Sequence, residues 1–306
     1  MILMGSRAIK HHCPDFREVA SSDYDLMGSS SEFAMLLGSL PIDFISVRKE
    51  KKIIKLKTGE VIEWENEEAT ESSRKLLQAK DRMQTTELLG HRVHLPALFT
   101  LYLTKRATRH LPIHWWKNIK DFNWLKEHYF TDDLFGAGDN DITYLNIRTE
   151  EAKQRTPSLK QSNMSFFGQS DGKVTQQYPH DAVHFAVAYN ELPMWSKLKP
   201  QGSTSAWCEK DLWAKLTHKE KIQCIREEAY VIAWERKVSL NNSEPLAAYQ
   251  WAIMRIGTNL CSGYFRDFCC DNAVELEYPD IDYIARIKWN IDKVLDKGDW
   301  KVYMYG

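Results

Sequence analysis

The sequence lacks any apolar run approaching the ~20 residues that a membrane-spanning helix needs. A protein that crosses a bilayer is therefore not expected. The opening stretch MILMGS is too short for a signal-peptide core and has no basic start, so a cytoplasmic location is the expectation. Cys-x-x-Cys is also missing. The six cysteines (Cys13, Cys208, Cys224, Cys261, Cys269 and Cys270) are scattered and read as buried free thiols, not as a disulfide framework. A bridge between the adjacent Cys269 and Cys270 would be strained. There is no excess of charge of one sign: 41 basic and 42 acidic side chains leave a net −1. No global basic field draws the chain to nucleic acid, and only local patches could do so. No fixed-period repeat and no low-complexity tract is present.

What is present is a 306-residue chain with 43% hydrophobic residues, enough for one large domain or two ordinary ones. Most of its 11 tryptophans lie beyond residue 110 and read as core anchors of a helical region, with a base-stacking platform as the other reading.

Residues 1–4 read as a short buried strand, Gly5-Ser6 as a turn, and RAIKHH as a helix start. DYDLMG (23–28) reads as a second strand ending at Gly28. SSSEFAMLLG carries serine caps with Glu32 in its first turn and predicts a short helix stopping at Gly38. DFISVRKE, KIIKLK and EVIEWE show partial alternation, and Thr58-Gly59 predicts a hairpin between the last two. Helical spacing marks ESSRKLLQAKDRM, LPALFTLYLTKRATRHL and HWWKNIKDFNWLKEHYF. Residues 131–178 lack sustained periodicity and predict a long irregular insert, after which helical spacing resumes. The expected fold is α+β: a small mixed-sheet unit over 1–92, then a mainly helical body over 93–306 with the insert near 131–178.

Asp23 and Asp25 stand two apart on a predicted strand and so share one face. Paired carboxylates repel unless a cation separates them, and hard divalent cations take oxygen ligands together with substrate phosphates. Glu63 and Glu65 share a face of a later strand, and Glu67 follows. Gly5 permits close backbone approach to phosphate, while the Ser6 amide and hydroxyl at a helix start form an anion seat. The same residues also read as a solvated acidic hairpin without a ligand.

The order Gly5-Ser6, Asp23-Tyr24-Asp25 and a glutamate-rich strand resembles the Gly-Ser…Asp-x-Asp signature of the DNA-polymerase-β-like nucleotidyltransferase superfamily. The resemblance covers residues 1–80. It implies a mixed sheet in which Gly-Ser opens a helix, the two aspartates lie on the next strand and a third carboxylate comes from a later one. It also implies the activity: transfer of a nucleoside monophosphate from an NTP such as ATP to an acceptor, with release of pyrophosphate. Carried over, Gly5, Ser6 and the adjoining Arg7 hold the triphosphate. Asp23, Asp25 and Glu63 bind Mg²⁺ or Mn²⁺, and Glu65 is the other candidate for the third acid. Two features depart from the family pattern: the Gly5-to-Asp23 interval is longer than in compact members, and the third acid is Glu instead of Asp.

Lys105, Arg106, Arg109, His110, His114 and Lys117 concentrate positive charge over 105–117. Lys105 and Arg109, four apart on a predicted helix, share a face; with Lys117 they are candidates for binding triphosphate or an acceptor's backbone, or they form a solvated basic face. A nucleotide or nucleic-acid acceptor is favoured on that basis. His180 and His184, at i,i+4 spacing with Asp181 between, offer a transition-metal pair and a second enzymatic reading, a metal-dependent hydrolase. A third reading is a binding or scaffold protein on a nucleotidyltransferase fold that has lost its metal cage.

Overall fold

A computed structural model describes residues 1–48, 51–66, 69–130, 134, 136–155, 194, 210–240, 245–258, 263–280 and 282. The fold is mixed α+β, a seven-stranded mixed sheet followed by a mainly helical body. The chain divides into two compact units. The first holds Met1–Thr108 and Asp121–Arg155; the second holds Arg109–Lys120 and the chain from Thr156 onward.

In the first unit the strands are β1 (Ile2–Leu3), β2 (Tyr24–Gly28), β3 (Ile42–Arg48), β4 (Lys51–Leu56), β5 (Val61–Asn66), β6 (Gln84–Leu88) and β7 (His91–Leu95). Their order is β3-β4-β5-β2-β1-β7-β6. The β1–β7 and β2–β5 pairs are parallel and the others antiparallel. The inner strands carry the core: Ile2, Leu3, Leu26, Ile54, Ile62 and Trp64 are each at most 2% exposed. Burying each such side chain stabilises the unit by about 1.5–3 kcal/mol.

Helix α1 (Gly5–His12) follows β1, and α2 (Ser30–Ser39) follows β2. The serine cap expected of α2 is a full capping box. Ser29 Oγ accepts from the Glu32 amide at 3.2 Å, and the Ser29 amide donates to Glu32 Oε2 at 2.9 Å. Helix α3 (Glu71–Gln78) is capped by Thr70, whose Oγ1 accepts from the Ser73 amide at 3.1 Å. Helices α4 (Leu98–Thr108), α5 (Trp115–Tyr129) and α6 (Asp139–Arg155) follow. Helix α6 falls inside the stretch read as an irregular insert. Its sequence is polar, and Tyr144 and Ala152 are its buried side chains. With so narrow an apolar stripe it shows little periodicity.

The β6–β7 hairpin likewise leaves no clear sequence pattern. Its turn sets Leu89 at φ 51° and Gly90 at φ 76°, and β6 is a polar edge strand without alternation.

In the second unit the described helices are α7 (Lys210–Lys215), α8 (His218–Leu240), α9 (Pro245–Thr258), α10 (Gly263–Asp271) and α11 (Ala273–Leu276). Its core includes Trp115, Ile225, Ala252, Phe265 and Cys269. Of the tryptophans read as anchors of the helical region, Trp115 and Trp213 are buried, while Trp116, Trp124 and Trp251 are half-buried. Cys13, Cys224, Cys269 and Cys270 are free and buried. Among the described residues no helix is long and apolar enough to cross a membrane.

Candidate functional site

β2 and β5 run parallel with Asp25 in register with Glu63 and Met27 with Glu65. Side chains paired across a ladder and two apart along a strand point to one face. Asp25, Glu63 and Glu65 therefore start from the same face of the sheet. Helix α1 begins against it. Gly5 has φ +68°, and a Cβ there would overlap Asp25 Oδ2 and lie 2.9 Å from its Cγ. Glycine is needed at position 5 for both reasons: the left-handed backbone and the carboxylate pressed against its Cα. The Met4 amide donates to the Asp25 carbonyl at 2.8 Å and pins the strand beside the helix start. The Asp25 carboxylate thus sits at the N-terminal turn of α1, where the aligned peptide dipoles favour negative charge.

The other predicted acids stand differently. Glu63 accepts from Lys51 Nζ at 2.6 Å, with side chains 28% and 44% exposed. Glu65 is buried, and its Oε1 accepts from Ser73 Oγ at 2.5 Å and Thr70 Oγ1 at 3.4 Å. It fastens the start of α3, while Glu63 pairs with Lys51. Asp23 is exposed and precedes β2 by one residue, so strand alternation does not set its direction as the sequence reading supposed. Glu67 lies outside the described residues, as do His180, Asp181 and His184. Among the described residues no group of three or more His, Cys, Asp or Glu side chains is gathered to hold a metal ion. The donors fit a hard divalent cation in kind and in backbone placement. Two carboxylates lie in register on neighbouring strands, one of them in the space that the missing Gly5 Cβ leaves.

Ser6 and Arg7 each have partners within the chain. Ser6 is 5% exposed. Its hydroxyl donates to Asp121 Oδ2 at 3.0 Å and accepts from Arg17 Nη2 at 2.8 Å. Asp121, on α5, has a fully buried side chain that also takes Arg17 Nε at 2.6 Å and Lys105 Nζ at 2.9 Å. Burial works to raise the Asp121 pKa, but Lys105 and Arg17 outweigh it and hold the carboxyl below the usual range. Arg17 and Lys105 thus share one carboxylate beside the start of α1. Arg7 turns to the loop before β2: it donates to the carbonyls of Ser22 at 2.8 Å and Ala20 at 2.9 Å and lies over the Tyr24 ring at 3.7 Å. Its guanidinium tethers that loop.

The basic stretch 105–117 is not one patch. Helix α4 ends at Thr108, so Lys105 and Arg109 do not share the helical face their spacing predicted. Lys105 belongs to the first unit; Arg109 and Lys117 belong to the second. Arg109 forms ion pairs with Asp267 and Asp271, each at 3.2 Å. Lys117 is exposed. Also in the second unit, burial pushes the Cys269 and Cys270 thiols up, Cys270 to about 12, which makes them inert packing groups.

A family model described as Domain of unknown function (DUF7275) matches residues 100–288, more than half of the sequence. The chain belongs to this family. A second model, Domain of unknown function (DUF7277), matches residues 1–92, which contain Gly5, Asp25 and Glu63. No curated protein and no solved structure matches the chain.

Proposed function

We propose that this chain is a nucleotidyltransferase that moves a nucleoside monophosphate from an NTP to an acceptor hydroxyl, with Mg²⁺ or Mn²⁺ as cofactor. The observation that carries the reading is the contact of Asp25 with Gly5 at the start of α1, with Glu63 in register beside Asp25. Asp25 and Glu63, with Asp23 at the strand's edge, would hold the cation. Once bound, a divalent ion supplies charge neutralisation at phosphoryl oxygens and a lowered pKa for the attacking hydroxyl.

The chain's own contribution is position and electrostatics. The first turn of α1 has no side-chain cap, and its backbone N–H groups offer an anion seat. Arg17 and Lys105, gathered by Asp121 next to Ser6, add positive charge on the phosphate side. On binding the cation Glu63 would give up its pair with Lys51. A nucleotide or nucleic-acid end is the first acceptor to try.

A second reading is supported by that Lys51–Glu63 pair: an NTP-binding module without turnover, its acids held apart from a metal. One experiment separates the two. The purified chain is incubated with Mg²⁺ or Mn²⁺, each labelled NTP and candidate acceptors, and pyrophosphate release is measured beside thermal unfolding. Release that Asp25→Asn abolishes supports transfer. A rise in midpoint with NTP but no release supports the binding module. No release and no shift with any NTP defeats both.

A further inference from the structure

We propose that strand β3 is a dimer interface, through which two copies of this chain pair edge to edge and antiparallel. This edge is independent of the acidic site. β3 is the outermost strand of the sheet, bonded to β4 along one side. Phe44, Ile45 and Val47 on it are 49%, 45% and 68% exposed, and Met35 of α2 is 53% exposed. The opposite edge, β6, presents Gln84, Thr85, Thr86 and Glu87, the kind of polar edge that discourages pairing. β3 has a register shift between Ile42 and Phe44 beside the exposed Asp43, but no charge or irregularity from Phe44 to Val47. The apolar stretch beyond that shift is a template for another strand.

The occupant follows from the pattern about Ser46. Ile45-Ser46-Val47 reads apolar, small, apolar, and so is complementary to itself when reversed. A two-fold axis perpendicular to the sheet and passing by Ser46 sets each Ile45 opposite the Val47 of the other copy. Ile45 aligns with Ile54 and Val47 with Lys52, and these continue to Ile62 and Trp64, so both apolar pairs fall on the sheet face that carries Trp64. Sliding the pairing so that Ile45 meets its own counterpart would set Val47 opposite Asp43, apolar against charge. The hydrophobic pattern therefore selects the Ser46-centred register.

A perpendicular axis keeps like faces together. Both copies would carry Asp25 and Glu63 on one side of a continuous sheet. With strands about 4.8 Å apart, the two β5 strands would lie ~24 Å from each other.

The test is sedimentation velocity on the full-length chain over a wide concentration range. A species near twice 35.7 kDa is expected. Val47→Lys and Ile45→Glu should each give monomer with unchanged circular dichroism and thermal midpoint. Their double variant should dimerise again, because Glu then faces Lys on both sides of the axis. Ser46→Cys should form an intermolecular disulfide on mild oxidation that the wild type does not form, since paired Cα atoms in this ladder stand about 4.5–5.5 Å apart. A wild type that stays monomeric at its highest soluble concentration overturns the proposal, as does a dimer indifferent to both single substitutions. Single variants that dissociate, with a double variant that does not recover and a Ser46→Cys chain that does not cross-link, overturn the register.

Discussion

Gly5→Ala is the sharpest perturbation of the α1–β2 junction. Residue 5 has φ +68°, and placing an L side chain there costs about 1–2 kcal/mol. The new methyl would also overlap Asp25 Oδ2, so the carboxylate must leave its rotamer or the strand must shift. Overpacking of that kind costs about 1–3 kcal/mol. The sum, roughly 2–5 kcal/mol, is a large share of a typical domain's stability. Urea unfolding followed by tryptophan fluorescence reads it directly. The two contributions separate in an Asp25→Ala background. There the nearest remaining atom is the Cβ of residue 25, at 3.2 Å from the added methyl, and the overlap with the carboxylate is gone. In that background Gly5→Ala should cost only the backbone part, so the coupling between positions 5 and 25 should be about 1–3 kcal/mol. A Gly5→Ala chain as stable as the wild type refutes the geometry. An equal cost in both backgrounds refutes the contact.

Other substitutions test neighbouring features. Asp121→Ala removes the buried carboxylate that Lys105 and Arg17 share and should destabilise the first unit by about 3–5 kcal/mol in chemical denaturation. For Glu32, burial works to raise the pKa, but the N-terminal ammonium, the Ser29 amide and Lys80 hold it at about 2, below its ordinary 4.5. Its stabilisation is present above pH 4.5 and lost as pH falls through about 2, so Glu32→Gln should flatten the stability–pH curve across that window. Gly257→Ala would drive a methyl into the buried Trp115 ring, whose Cε2 lies 3.0 Å from the new carbon, and should cost about 1–3 kcal/mol in unfolding experiments.

Local chemistry made part of the fold legible in the sequence. Ser29 and Glu32 mark the start of α2 because a capping box needs those two side chains three residues apart. Thr58-Gly59 marks the β4–β5 hairpin because Gly59 supplies φ +92°. Elements with little apolar patterning were not legible: β6 is a polar edge, and α6 buries few side chains. At the candidate site, Gly5 and Asp25 could be read from order and spacing. The choice between Glu63 and Glu65 could not, because both point to one face. Thr70 and Ser73, at the start of the following helix, hold Glu65 by hydrogen bonds that no strand pattern encodes. Arg17 and Asp121 escaped notice for a related reason. They meet across 104 residues, and Ser6 meets Asp121 across 115, separations that leave no periodic trace. The basic run at 105–117 misled because charge density along the chain carries no information about where a helix stops.

The central claim is that Asp25 and Glu63 face an NTP seated at the start of α1. The most direct measurement is a structure of the full chain bound to Mg²⁺ and a non-hydrolysable NTP. The account predicts a cation joining Asp25 to Glu63, with Glu63 released from Lys51 and the triphosphate against the first turn of α1. A nucleotide bound elsewhere, with the Lys51–Glu63 pair intact and no cation on Asp25, would contradict it.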